Sequence, residues 1–142
     1  MNAAVKSPPA TVSVGRAALK VLVVDDDSFQ LELITGILSG LGIKNVTVAL
    51  GATQALQQVA VDKAKFDLLL TDLHMPGTDG FQFMESMARK GFEGALIIVS
   101  GQGTDIVNSA SLVARLRRIR LLGALEKPVD RAGLSRLIST IA

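Results

Sequence analysis

The chain has 142 residues, 49% of them hydrophobic, no cysteine and a formal net charge of +2. That length holds one domain with a real core and not two, and the missing thiols exclude disulfides and thiolate chemistry and suit a reducing, cytoplasmic setting. The small net charge gives no argument for nucleic acid, and no apolar run approaches the ~20 residues of a membrane span, so neither partner is expected.

Residues 1–18, MNAAVKSPPATVSVGRAA, lack a compact apolar stretch behind a basic start, so they read as a flexible N-terminal tail and not as a secretory signal. The pattern becomes regular at Leu19, and residues 19–142 are taken as the domain. KVLVVD (20–25) is a continuous apolar, β-branched run, the mark of a strand covered on both faces. Ser28 can cap a following helix in which Phe29, Leu33 and Ile37 recur at four-residue spacing, before Gly40 and Gly42 stop it. NVTVAL (45–50) is a second strand. Residues 51–64 form a helix with Ala55, Leu56, Val59 and Ala60 on its apolar side.

FDLLLTD (66–72) is the third strand and residues 80–90 the third helix, with Phe81 and Phe83 in or near the core. ALIIVS (95–100) is the fourth strand. Residues 104–119 carry Ile106, Ala110, Val113, Leu116 and Ile119 at helical spacing. The arginines of ARLRRIR (114–120) fall on that helix; with no Trp or Tyr in the chain they lack stacking partners for single strands and read as a solvated face. RLLGALEK (120–127) is a fifth strand, and residues 130–141 a last helix with Leu134, Leu137, Ile138 and Ile141 inward.

Strands alternating with helices through short connections imply a parallel sheet with right-handed crossovers and helices on both faces. In such α/β folds ligands bind beyond the carboxyl ends of the strands. The residues found there are Asp25, Asp26 and Asp27 after the first strand, Asp72 after the third, Ser100 and Gly101 after the fourth, and Lys127 and Pro128 after the fifth. Two carboxylates ~4 Å apart repel by about 4 kcal/mol at an effective dielectric near 20. They need a cation between them or one takes up a proton. Lys127 supplies one charge; Mg2+ (or Mn2+) suits a site with a few carboxylates that awaits phosphate oxygens.

The chemistry that fits is phosphoryl transfer to an aspartate, where positioning and charge neutralisation carry most of the work. Asp72 is then the nucleophile, Asp25 and Asp26 hold the metal, and Ser100 and Lys127 bind the new phosphoryl oxygens. The Met-Pro-Gly turn after Asp72 can offer the backbone carbonyl of His74 as a further metal ligand. Asp27 is expected to point to solvent, and the His74 side chain to sit at the rim, where it and Gln102 can set the lifetime of the phosphoryl group.

VLVVDDD, LLLTDLHMPGTDG, IIVSG and LEKP, in this order, resemble the receiver domain of two-component response regulators over roughly residues 19–141. The resemblance implies a doubly wound, flavodoxin-like three-layer sandwich with strand order 2-1-3-4-5. It implies Asp72 as phospho-acceptor, Asp25 and Asp26 as the acidic pair for the metal, Ser100 as switch hydroxyl and Lys127 as phosphate-binding lysine. It also implies a sensor histidine kinase or phosphotransfer protein as donor, docking on the first helix and the Pro128 loop. An output domain or protein would read the fourth helix, fifth strand and last helix, with the chain itself a monomer or weak dimer and no enzyme beyond its own phosphorylation and dephosphorylation. Two departures stand out. Receivers usually carry Tyr or Phe three residues before the lysine, where this chain has Ala124, and the stretch from Ser100 to Lys127 is several residues longer than usual. The long fourth helix is similar to receivers found with EAL cyclic-di-GMP phosphodiesterase domains; the chain ends after its last helix, so no such domain is expected within it.

Two other readings remain. VVDDDSF also resembles the start of haloacid-dehalogenase-type phosphatases, with Asp25 as nucleophile and Asp27 as acid, but leaves Asp72 unexplained. A pseudo-receiver, binding partners without phosphorylation, is favoured by the missing aromatic and opposed by the intact set of site residues. No GxxxxGK[ST] phosphate loop is present.

Overall fold

A computed structural model describes residues 15–61, 65–101 and 119–142. In chain order the elements are β1 (Lys20–Asp25), α1 (Ser28–Gly40), β2 (Asn45–Leu50), α2 (Ala52–Val61), β3 (Leu68–Thr71), α3 (Gly80–Arg89), β4 (Ala95–Ser100), β5 (Arg120–Glu126) and α4 (Arg131–Ile138). The sheet order is β2-β1-β3-β4-β5 and every pairing is parallel. This is the doubly wound fold that the resemblance implies. The helix expected over 104–119 lies outside the described residues, apart from Ile119.

The central strands are apolar throughout because both faces are covered. β1, β3 and β4 are almost wholly buried. Alternate residues feed two cores. Val21, Val23, Leu68, Leu70, Ile97 and Val99 meet α1 and α4 on one face; Leu22, Val24, Leu69, Leu96 and Ile98 meet α2 and α3 on the other.

Three expectations are corrected. In α1 the buried stripe is Leu31, Ile34 and Leu38, whereas Phe29 is 65% exposed and Leu33 and Ile37 are half-buried. The segment carries apolar residues at two phases of the helical period, and only contact with the sheet chooses between them. The cap of α1 is Asp27 and not Ser28: Asp27 Oδ1 accepts from the Phe29 N–H at 2.9 Å. On α3, Phe83 is core as expected, but Phe81 is 37% exposed.

β3 is shorter than its apolar run. Asp67 precedes it and ties three strands at their lower end. Its N–H donates to the Lys20 carbonyl at 2.7 Å, its carbonyl accepts from the Ala95 N–H at 2.9 Å, and its Oδ2 accepts from the Lys20 N–H at 2.8 Å. Before β1, Arg16–Ala18 form a 3-10 turn, and Arg16 donates to the Leu41 carbonyl and to Ser139 Oγ. Residues just ahead of the expected boundary at 19 are thus held against the ends of α1 and α4.

Candidate functional site: a carboxylate cluster bridged by a lysine

The parallel register brings the upper ends of β1, β3, β4 and β5 to one rim. Asp25 is the last residue of β1 and is buried; Asp26 follows and is exposed. Asp72 follows β3, buried, with its N–H donating to the Val24 carbonyl at 3.1 Å, so the chain is still pinned to β1 where the carboxylate begins. Ser100 ends β4 and is buried. Lys127 follows β5, and its N–H donates to the Ser100 carbonyl at 3.1 Å.

Each buried carboxylate divides its oxygens between backbone and ammonium. Asp25 Oδ1 accepts from the Asp27 N–H at 2.9 Å, and Asp72 Oδ1 from the His74 N–H at 2.8 Å. Asp25 Oδ2 and Asp72 Oδ2 both face Lys127 Nζ, at 2.9 Å and 2.8 Å. One ammonium therefore bridges the ends of β1 and β3 and gives two buried carboxylates a shared charged partner. Asp25, Asp26 and Asp72 each place an oxygen within 4.8 Å of the others.

The turn after Asp72 is rigid for identifiable reasons. Leu73 and Met75 are buried in the α2/α3 core. Gly77 sits at φ +73°, in the left-handed region that a side chain disfavours. Gly80 opens α3 so close to Leu73 that a Cβ there would lie 2.9 Å from the Leu73 carbonyl oxygen. Asp79 caps α3 by accepting from the Phe81 and Gln82 N–H groups.

Among the described residues, three carboxylates against one ammonium leave the cluster short of positive charge. Desolvation first, then the hydrogen bond with Asp25 and the charges of Asp25 and Asp72, hold the Asp26 carboxyl above its usual pKa, against an opposing backbone hydrogen bond. Burial pulls the Lys127 ammonium down, but hydrogen bonds and charge from Asp72 and Asp25 outweigh it and leave it raised. A hard divalent cation fits this donor set: three carboxylate oxygens within reach of one ion, one of them open to solvent. Asp25, Asp26 and Asp72 are the side chains that would hold it.

Each sequence-predicted strand-end residue stands at this rim; Asp25, Asp26 and Asp72 lie within reach of one another, and Lys127 reaches Asp25 and Asp72. His74 touches the cluster through its backbone N–H, and its residue is exposed. Gln102 lies outside the described residues. Ala124 pairs with Ile98, two residues beyond a bulge at Leu122 where the β4–β5 register shifts. Asp27 is exposed, as expected, but it is also a scaffold residue, capping α1 and giving its N–H to Asp25. An Asp two residues ahead of an apolar-periodic stretch is the signal that would have found it.

The response regulator receiver domain family matches residues 21–139. The chain belongs to the response regulator receiver family. It is 34% identical over 129 residues to protein-glutamate methylesterase/protein-glutamine glutaminase 5 of Myxococcus xanthus, covering 80% of this chain and 36% of that protein. It is 33% identical over 87 residues to two-component response regulator ARR14 of Arabidopsis thaliana, covering 61% of this chain and 22% of that one. A CheY-like receiver domain from Methanospirillum hungatei superposes with a TM-score of 0.71 at 25% identity, covering 87% of this chain and 93% of that one. This receiver thus spans about a third or less of the curated relatives' length, but nearly the whole of a solved receiver. No helix among its described residues is long and apolar enough to cross a membrane.

Proposed function

We propose that this receiver is a phosphoryl-accepting switch, with Asp72 as the acceptor. The observation that carries the reading is the Lys127 bridge between Asp25 and Asp72 beside a third carboxylate. It holds a buried carboxylate at a fixed place and leaves a divalent cation wanted next to it. Asp72 attacks phosphorus, its oxygen forming the new P–O bond as the P–N bond to the donor histidine breaks, and the departing imidazole takes up a proton. Lys127 and Ser100 hold the phosphoryl oxygens, and the pinning of Asp72 to Val24 and His74 keeps the nucleophile in line. Asp25, Asp26, Asp72 and the His74 backbone carbonyl would hold Mg2+ or Mn2+, which would supply the remaining positive charge when bound. The exposed His74 side chain at the rim sets how readily water reaches the phosphoryl group, and Gln102, two residues after Ser100 in the sequence, is assigned the same role.

The donor is a sensor histidine kinase or phosphotransfer protein that approaches along α1, where Phe29 stands exposed beside the rim, and the Pro128 loop. A further domain or protein reads the phosphorylated state. The protein acts in the cytoplasm and catalyses only its own phosphorylation and dephosphorylation. A second reading, a pseudo-receiver that ignores phosphate, has Ala124 in its favour, because the usual aromatic partner of the switch hydroxyl is missing.

Intact mass after incubation with acetyl phosphate or phosphoramidate decides between them. A single phosphoryl adduct that requires Mg2+ and is absent in Asp72→Asn is the expected result. No adduct in a folded, Mg2+-binding protein would establish the pseudo-receiver.

A further inference from the structure

β2 is an edge of the sheet, and it is built unlike a protected edge. Natural edge strands carry charge, proline or a bulge that discourages a second strand. β5, at the other edge, has Arg120, Glu126 and the bulge at Leu122. β2 is NVTVAL, six residues without charge, proline or irregularity, in unbroken register with β1. Val48 and Leu50 are 47% and 51% exposed on it. Val48 also forms one wall of an apolar groove whose other wall is Leu31, Glu32, Thr35 and Gly36 of α1.

Ladder geometry shows which backbone groups are free. Leu50 turns its N–H away from β1 and donates it to Gln54 Oε1 at 2.9 Å. Residues two apart on a strand point their N–H and C=O groups the same way, so Val46 and Val48 also face outward. Among the described residues no strand lies there.

We infer that β2 pairs antiparallel with β2 of a second copy of this chain, across a two-fold axis at Thr47. In that register Val46 of each copy faces Val48 of the other. Both outward N–H groups and both outward carbonyls of each strand are used, and Leu50 keeps its Gln54 cap. A shift of two residues, pairing Val48 with itself, would instead demand the Leu50 N–H that Gln54 already holds.

Charge supports the same partner. Lys44 precedes β2 by one residue and continues the face of Val46, Val48 and Leu50. In the Thr47-centred register it lies opposite the other copy's Leu50, alongside the groove wall that carries Glu32. Both residues are exposed, and neither makes an ion pair among the described residues. Two symmetric Lys44–Glu32 pairs would flank the joined strands, closing an isologous interface. The pairing is independent of phosphorylation.

The test is sedimentation velocity of the full chain from about 5 to 500 µM, with amide hydrogen exchange at both ends of the range. A reversible dimer is expected, with the Val46 and Val48 amides exchanging more slowly as concentration rises. Val48→Lys should be monomeric throughout with unchanged circular dichroism. Glu32→Lys and Lys44→Glu should each weaken the dimer about three- to tenfold, and the double variant should restore it. A monomer at every concentration overturns the inference. If its Val46 and Val48 amides are nonetheless protected, residues 1–14 or another part of the same chain covers the edge. A dimer untouched by Val48→Lys also overturns it, because the interface then lies elsewhere.

Discussion

Replacing Lys127 by methionine keeps the length of the side chain and removes an ammonium that Asp25 and Asp72 share. The lysine is close to both, at 2.9 and 2.8 Å, and its side chain is only 20% exposed. Without it, oxygens of three carboxylates remain within 4.8 Å of one another. At that spacing each ionised pair repels by about 3.5 kcal/mol for an effective dielectric near 20. Proton uptake and the open side of the site relieve part of this, so the expected loss of stability at neutral pH without metal is about 2–3 kcal/mol. That is a fraction of the ~5–15 kcal/mol of a typical domain, and the variant stays folded. Urea unfolding of both proteins measures the difference. It should shrink in acid, where Asp26, whose folded pKa is raised, takes up a proton and removes one of the three repelling charges. It should shrink in strong alkali too: the folded pKa of Lys127 is raised, so its stabilisation is complete below the ordinary lysine value and is lost as pH rises through the raised one. Several millimolar Mg2+ should restore most of the loss, by supplying the charge the variant lacks. A loss that is the same at pH 4 and pH 7 and indifferent to Mg2+ would refute the electrostatic account and leave only lost packing.

Asp26→Asn should raise the stability of the metal-free protein at pH 7 while weakening Mg2+ binding, read by urea unfolding and by calorimetric titration. The folded pKa of Asp26 is raised, so its destabilising contribution is present above that value and fades as pH falls towards the ordinary carboxylate range; the asparagine variant should lose this part of the pH profile. Leu38→Ala, at a fully buried site on α1, should cost about 3 kcal/mol in the same assay, and Phe29→Ala, 65% exposed, less than about 0.5. Asp27→Ala should cost about 1 kcal/mol through loss of the α1 cap, with Mg2+ affinity lowered only modestly, since the Asp27 contact with Asp25 is made by backbone.

The order of apolar runs and the residues that end them were legible in the chain itself. A parallel strand buried on both faces must be continuously apolar, so a carboxylate, hydroxyl or ammonium at its end is conspicuous. Asp25, Asp72, Ser100 and Lys127 were found for that reason. Parallel strands all end on the same side of the sheet, which puts these residues on one rim. The strand order came from resemblance and not from spacing, because nothing in a single strand states which neighbour it takes.

Tertiary structure decided what depends on two segments at once. α1 carries apolar residues at two helical phases, and only the sheet beneath it selected Leu31, Ile34 and Leu38 and left Phe29 in solvent. Asp27 became a cap because the chain turns there into α1, and its N–H reached Asp25 for the same reason. A lysine 55 residues beyond Asp72 in the chain reaches both Asp72 and Asp25 because β5, β4, β3 and β1 lie side by side and parallel. The composition of β2 was visible from the start, but its standing at an open edge was not. A strand's residues record which of its faces are buried; which of its flanks has a neighbour is written only in how all the strands assemble.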